Sequence, residues 1–428
     1  MPFLRFLSAG VLAAATALGA QTEPDNLSAS EPAGELTLQQ AISLSAGRNP
    51  EIAALASEVR AREGRVLQAR ALPNPEISGT TENLGGDIAK TGGVQSTFQL
   101  GQRLELGGDR AARTGAARAA LDLGRSDLES RRLEIVARTT RAFIDVLSAQ
   151  RRLELSTGAV RLAEELKITV AARVEAGKVS PIEETRAEVS LASERIERER
   201  AAADLAAARS RLAATWGSTS PRFERAAGDL DMVPILPSLE SVAGMIERHP
   251  EVGRWTAEIA EREALLRIEQ ARAVPDVTVG GGYRHFEVGE GAFVATVTLP
   301  LPLFDRNRGG KIEAGERIAR AREERRAAIV RLRQSADEAR SFLARSRAEV
   351  RSLREQVIPA AESVYEAVSE GYRLGKFGYM EVLDARRTLA AVRLQLVRAQ
   401  TELQHAFADL QRITAAPMND LTNGEQQK

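Results

Sequence analysis

Cysteine is absent from the 428 residues. That excludes disulfides, thiolate metal sites and a cysteine for amino-terminal lipidation. Aromatic residues make up only 4%, few for one large globular core. Beyond the amino terminus no apolar stretch is long enough to cross a bilayer as a helix. Membrane insertion would therefore require a closed barrel, because lipid leaves no backbone polar group satisfied in any other way. Net charge is missing as well: Lys plus Arg and Asp plus Glu each number 59. Nothing in that balance marks a nucleic-acid binder.

Histidine is scarce. His249, His285 and His405 lie far apart, without metal-ligand spacing. Surface or packing roles account for His249 and His405. His285 sits on a strand-like run, where it could face a lumen, and is not read as a ligand. Gly177-Lys178 and Gly375-Lys376 lack the upstream glycine of a phosphate loop, and Gly280-Gly281-Gly282 lacks dinucleotide spacing. No catalytic residue, cofactor or metal site is expected.

What is present begins with a secretory pattern. Arg5 precedes an uncharged, mostly small and apolar run from Phe6 to Ala20, and an acidic, Pro-containing stretch follows. Residues 1–20 read as a signal peptide cut near Ala17 to Gln21. An extended segment covers 21–36.

The rest is duplicated. Asn49-Pro50-Glu51 returns as His249-Pro250-Glu251, and Gln68-Ala69-Arg70-Ala71-Leu72-Pro73 as Gln270-Ala271-Arg272-Ala273-Val274-Pro275. Ala176-Gly177-Lys178 returns as Leu374-Gly375-Lys376. A spacing near 200 residues indicates two long repeats rather than a solenoid. The repeats span 37–215 and 239–414, joined by a Gly- and Pro-containing linker at 216–238 that reads as irregular. A flexible tail covers 415–428.

Each repeat predicts the same elements. A helix over Thr37 to Ala71 precedes two strands, about Pro75 to Asn83 and Val94 to Leu106. A Pro-free helix then runs from Gly108 to Ala176, and a tight turn leads to Pro181, a favourable first helical residue. The second repeat predicts a helix from Leu239 to Ala273, strands at Asp276 to Glu287 and Ala292 to Phe304, a long helix from Gly309 to Leu374, and a return helix from Tyr379 to Ile413. At 1.5 Å per residue the long helices reach roughly 100 Å and the shorter ones about half that. The molecule is expected to be an elongated cylinder.

Two apolar seams support helix-on-helix packing. One alternates by three and four from Ile329 through Leu332, Leu343, Val350, Val357 and Ala360 to Val364. The other runs from Val382 through Leu389, Leu396 and Leu403 to Ile413. Such a sustained period means coiled-coil packing. Pro359 should kink the second long helix locally.

Strand lengths near ten residues suit tilted membrane-spanning strands. Four strands are too few to enclose a lumen. Either the hairpins are ordinary soluble β structure, or several subunits share one barrel. Three subunits would supply twelve strands.

Charged residues flank the two helical turns: Glu183, Glu184 and Arg186 in one repeat, Glu381, Asp384, Arg386 and Arg387 in the other. Meeting at a trimer axis, they could hold a tunnel shut through ion pairs. The simpler reading is surface charge at helix starts, where acids suit the dipole.

Several strings together resemble the TolC-type outer-membrane efflux factors, especially the cobalt-zinc-cadmium and copper resistance branch. They are Ala71-Leu72-Pro73-Asn74-Pro75-Glu76, Glu82-Asn83-Leu84-Gly85, Leu104-Glu105-Leu106-Gly107-Gly108-Asp109-Arg110, Ala176-Gly177-Lys178-Val179-Ser180-Pro181 and Pro300-Leu301-Pro302-Leu303-Phe304-Asp305-Arg306-Asn307-Arg308-Gly309. The match covers nearly the whole mature chain, in order. It implies a mainly α fold with membrane β structure: a homotrimer with a shared twelve-stranded β-barrel and a periplasmic tunnel of coiled-coil helical hairpins. It also implies an outer-membrane location, a periplasmic adaptor and an inner-membrane pump of the resistance-nodulation-division type.

By the same resemblance, Gly177, Lys178, Val179 and Ser180, with Gly375, Lys376, Phe377 and Gly378, form adaptor-docking tips. Many relatives carry a lipidated amino-terminal Cys, which this chain lacks. The expected function is passive export of heavy-metal ions. Drug or solvent efflux and type I secretion are the alternatives, and a periplasmic adaptor or a structural coiled coil explains less.

Overall fold

The computed structural model describes residues 32–85, 93–232 and 238–415. The signal segment at 1–20, the stretch to residue 31, linker residues 233–237 and the tail from 416 lie outside the described residues. Strand β1 (Glu35–Thr37) leads into α1 (Leu38–Arg48) and α2 (Pro50–Arg70). Hairpin β2 (Glu76–Glu82) and β3 (Gln95–Leu104) follows, then α3 (Asp109–Glu175), α4 (Pro181–Ala214) and β4 (Arg225–Ala227). The second repeat comprises α5 (Leu239–Glu247), α6 (Pro250–Ala271), β5 (Val277–Phe286) and β6 (Ala292–Thr298). It continues with α7 (Arg308–Ser352), a π-helical turn (Leu353–Val357), α8 (Ile358–Arg373) and α9 (Tyr379–Thr414). The 67 residues of α3 make one rod of about 100 Å.

The sequence predicts a single helix through Thr37 to Ala71 and another through Leu239 to Ala273. Both are broken, at Asn49 and at Arg248-His249. The cause is Pro50 and Pro250, whose rings clash with the preceding turn and push the residue before them to extended geometry. Asn49 then caps α2: its Oδ1 accepts from the N–H groups of Glu51 and Ile52 at 2.8 and 3.2 Å. Its Nδ2 donates to the Thr215 carbonyl at 2.7 Å. His249 copies the device, with Nδ1 accepting from Glu251 N–H and Nε2 donating to the Arg412 carbonyl, each at 3.1 Å. The repeated tripeptide thus pins the start of each inner helix to the end of each return helix.

The linker is also more regular than expected. Arg225–Ala227 pairs in parallel with Glu35–Thr37, and Phe223, Trp216 and Leu36 bury against Phe143 and Leu212. That cluster holds the middle of the molecule together. Pairing between three-residue strands so distant in sequence carries no local signal.

Along their lower halves the helices form a wall in the order α4, α3, α9, α7/α8, each packed on the next. The Val382 to Ile413 seam is buried or half-buried throughout. The other seam is buried at Leu332, Leu343, Val350 and Leu353 and then leaves the core. Beyond it Val357 and Val364 are exposed, as is Ala360. The π turn is responsible: Ile358 N–H bonds to the Leu353 carbonyl five residues back. One extra residue per turn rotates the helix, so Tyr365, Val368 and Tyr372 now face inward. Pro359 lacks the N–H that an α-helix needs there, and the wider turn accommodates its ring.

Candidate functional site: the two-faced sheet and the rod tips

The larger sheet runs β2-β3-β5-β6, all antiparallel. Its register sorts side chains by chemistry. Ile77, Leu100, Phe98, Tyr283, Val279, Phe293 and Val297 occupy one face, with Phe98 opposite Tyr283 and Tyr283 opposite Phe293. Ile77 is 82% exposed and Phe293 92%, so this apolar face has no cover among the described residues. The other face carries Ser78, Thr80, Glu82, Gln95, Thr97, Gln99, Arg284 and Thr296. Arg284 donates from Nε to Thr97 Oγ1 at 3.0 Å and from Nη1 to Gln95 at 3.4 Å. Thr296 donates to Gln99 at 3.3 Å. One side suits lipid and the other water. His285 shares the apolar side with Tyr283 and Val279, two and six residues back along the strand, so the lumen-facing alternative for it is corrected. Among the described residues β2 and β6 each pair with one strand, so both edges are open.

At the far end of the rods two turns share one geometry. Gly177 and Gly375 take positive φ, 68° and 79°, where a Cβ would be strained. Lys178 N–H reaches the Arg173 carbonyl at 2.9 Å and Lys376 N–H the Gly371 carbonyl at 2.8 Å. Gly177 and Gly375 bond to Val174 and Tyr372 in the same way. These are Schellman closures, and Pro181 opens α4 as its position suggests. Ser180 Oγ accepts from Ile182 N–H at 3.4 Å. All eight tip residues are exposed except half-buried Val179. The Phe377 ring lies over Gly371, where any side chain would collide with it.

The seven tip charges behave differently from one another. Arg386 is buried, and donates to Ser190 Oγ at 2.5 Å and Glu194 Oε1 at 3.1 Å on α4. It is a brace between repeats within one chain. Glu381 accepts from Gly378 N–H at 3.1 Å, the helix-start role that the simpler reading assigns it. Glu183 and Glu184 are half-buried, while Arg186, Asp384 and Arg387 are exposed. Among the described residues no ion pair joins any two of the seven.

Sequence reasoning missed a tyrosine cluster between the tips. Of the chain's four tyrosines, Tyr365, Tyr372 and Tyr379 follow a heptad spacing that could have revealed it. Tyr372 and Tyr379 pack with Val170, Ala187, Val382 and Leu383. Arg173 donates to the Tyr372 carbonyl, and its guanidinium stacks 4.3 Å from the ring centroid. Burial raises the pKa of both phenols, so both stay neutral and the cluster ties α3, α4, α8 and α9 together. The other histidines are structural: His249 is the cap above, and His405 Nε2 lies 3.2 Å from Asp145.

The family model described as "Outer membrane efflux protein" matches residues 41–218 and 244–416. The cobalt-zinc-cadmium resistance protein CzcC of Cupriavidus metallidurans is 38% identical over 384 residues, covering 90% of this chain and 91% of that one. The nickel-cobalt-cadmium resistance protein NccC of Alcaligenes xylosoxydans xylosoxydans is 28% identical, over 68% of this chain and 66% of that protein. Among solved structures, a membrane protein from Pseudomonas aeruginosa superposes with a TM-score of 0.76 at 20% identity, covering 88% of this chain and 92% of that one. CusC superposes with a TM-score of 0.75 at 16% identity, covering 94% and 99%.

Proposed function

This chain belongs to the outer membrane efflux protein family, and from that premise we propose that it is the exit duct of a heavy-metal efflux system. It resides in the outer membrane with its helical part in the periplasm. Three copies form the channel, which works with a periplasmic adaptor and an inner-membrane pump of the resistance-nodulation-division type. One observation carries the duct reading: the open-edged sheet has an apolar face without cover and a polar face lined by Arg284, Thr97 and Gln99. Lipid takes the first face, neighbouring copies take the edges, and water fills the space behind the second. Transport energy comes from the pump, and we assign this chain no catalytic step.

Divalent cobalt, zinc or cadmium is the substrate class supported by the metal-resistance relatives. Deleting the gene should sensitise its host to those ions and leave tolerance of drugs and solvents unchanged. The opposite pattern would move the assignment to drug efflux. The adaptor is assigned to the tips Gly177–Ser180 and Gly375–Gly378, on the strength of their exposure and matched geometry. The gate is assigned to the exposed charges around them, with Arg386 removed to its bracing role. Asp384→Ala should raise single-channel conductance; unchanged conductance there and in an Arg186→Ala variant would remove the gate assignment.

A further inference from the structure

Among the described residues, the polar face of the larger sheet carries four charged side chains, and they stand at its two ends. Glu76 and Arg103 lie toward the helices, Glu82 and Arg284 toward the β5–β6 turn, remote from the rods. Between them the face is neutral and nearly flat. Gly280 stands opposite Gly101, and Gly282 opposite Gln99. A side chain on Gly282 would collide with the Phe98 carbonyl. Along β5, no side chain therefore projects from this face between Thr278 and Arg284, a rise of about 20 Å.

The two ends are built differently. At the helix end Arg103 pairs closely with Asp276, at 3.1 Å. At the remote end Arg284 is fixed but its acid is left loose. The Nε and Nη1 groups donate to Thr97 Oγ1 at 3.0 Å and Gln95 Oε1 at 3.4 Å, and Thr97 is only 3% exposed. Two anchors on a planar fork define one position for the charge. Nη2 then lies 3.9 Å from Glu82 Oε2, beyond hydrogen-bond reach, and that carboxylate is half exposed. No other base lies within ion-pair distance of Glu82 among the described residues. Opposite Arg284 on β6 stands Ala292, too short to cover the guanidinium.

We propose that Arg284 keeps the mouth of the duct from holding the cation that leaves through it, by countering Glu82 in each of the three copies. This rests on the exit-duct reading, which sets the polar face against water. Uncountered carboxylates at one mouth attract cations and hold divalent ones most strongly. A conduction path needs groups that admit an ion and still release it. A fixed guanidinium 3.9 Å away offsets the attraction while leaving the carboxylate in water. That separation is well inside the screening length of about 8 Å in physiological salt, so the offset persists.

The test uses trimers of the full chain in planar bilayers under a potassium chloride gradient. Arg284→Gln should raise the preference for potassium over chloride about fivefold, the Boltzmann weight of one unit charge at this distance in water. Cadmium chloride should lower the conductance of that variant at concentrations that leave the unsubstituted channel unaffected. Adding Glu82→Gln should reverse both changes. Glu82→Gln alone, at a half-exposed side chain, should move the reversal potential toward chloride. Conducting channels whose reversal potential is unmoved by either single substitution overturn the proposal and leave the duct standing. So does a cadmium block that survives in the double variant, because the holding group is then not Glu82. A trimer that conducts no ions in any form removes the duct reading itself, and this proposal with it.

Discussion

The two repeats fold alike and differ in their long rods. In the first, α3 runs unbroken for 67 residues. In the second, the equivalent rod is interrupted by the five-residue π turn before Pro359. The unbroken rod sits inside the wall, with α4 and α9 on either side. The interrupted rod lies at the flank, where a change of rotation exposes an apolar strip without opening the core. The second copy of the rod is thus altered at an outer flank of the wall, and the first copy, packed on both sides, is not.

The equatorial pins show the same divergence on a smaller scale, since Asn49 and His249 make equivalent bonds with different chemistry. Only the second can titrate.

The largest effect that separates the repeats concerns Arg386. Arg386→Ala removes a buried guanidinium and leaves Glu194 and Ser190 without it, which should cost about 3 kcal/mol, read as a lower urea midpoint in detergent. Arg195, on the exposed side of α4, pairs with Glu164 at 2.9 Å. Arg195→Ala, the smallest effect expected, should cost about 0.5 kcal/mol. Equal losses would mean that the brace is no more than a surface pair.

The pins come next. Asn49→Ala and His249→Ala should each cost about 1 kcal/mol as lost helix caps. Their pH dependence should differ. Burial lowers the His249 pKa below its usual 6.5, so the unfolded chain binds the proton more readily. The stability that His249 supplies is therefore full above pH 6.5 and is lost as pH falls from there through the lower folded value. Protonating Nδ1 also removes the acceptor for Glu251 N–H. His249→Asn should flatten that part of the stability–pH curve, while Asn49→Ala should leave its slope unchanged.

A smaller effect tests the π turn. Backbone amides of Leu353–Val357 should exchange hydrogen on the order of tenfold faster than those at matching height in α3, because i→i+5 bonding is the weaker arrangement. Pro359→Ala should abolish the difference. Unchanged exchange would mean that the turn does not depend on proline.

Much of the architecture was legible because it is periodic or punctuated. Strands, rods and tips stand out through alternation, heptads, and the Gly177 and Gly375 turns. The breaks at Asn49 and His249 were readable in principle, since Pro50 and Pro250 forbid a straight helix. The seam past Leu353 misled because an apolar heptad states that a face wants covering, not which partner covers it. Of the site, the tip turns were legible and the brace was not. Arg386 reads as one charge among seven until Ser190 and Glu194, nearly two hundred residues away, are placed beside it. Tyr372 and Tyr379 were overlooked although tyrosine is so rare here.

Light scattering on the detergent-extracted full chain measures the number of copies per particle once the bound detergent is subtracted. Closure of one barrel by open-edged sheets predicts three. A folded single chain that stays in solution without detergent, its β2 and β6 edges unpaired, would contradict the account.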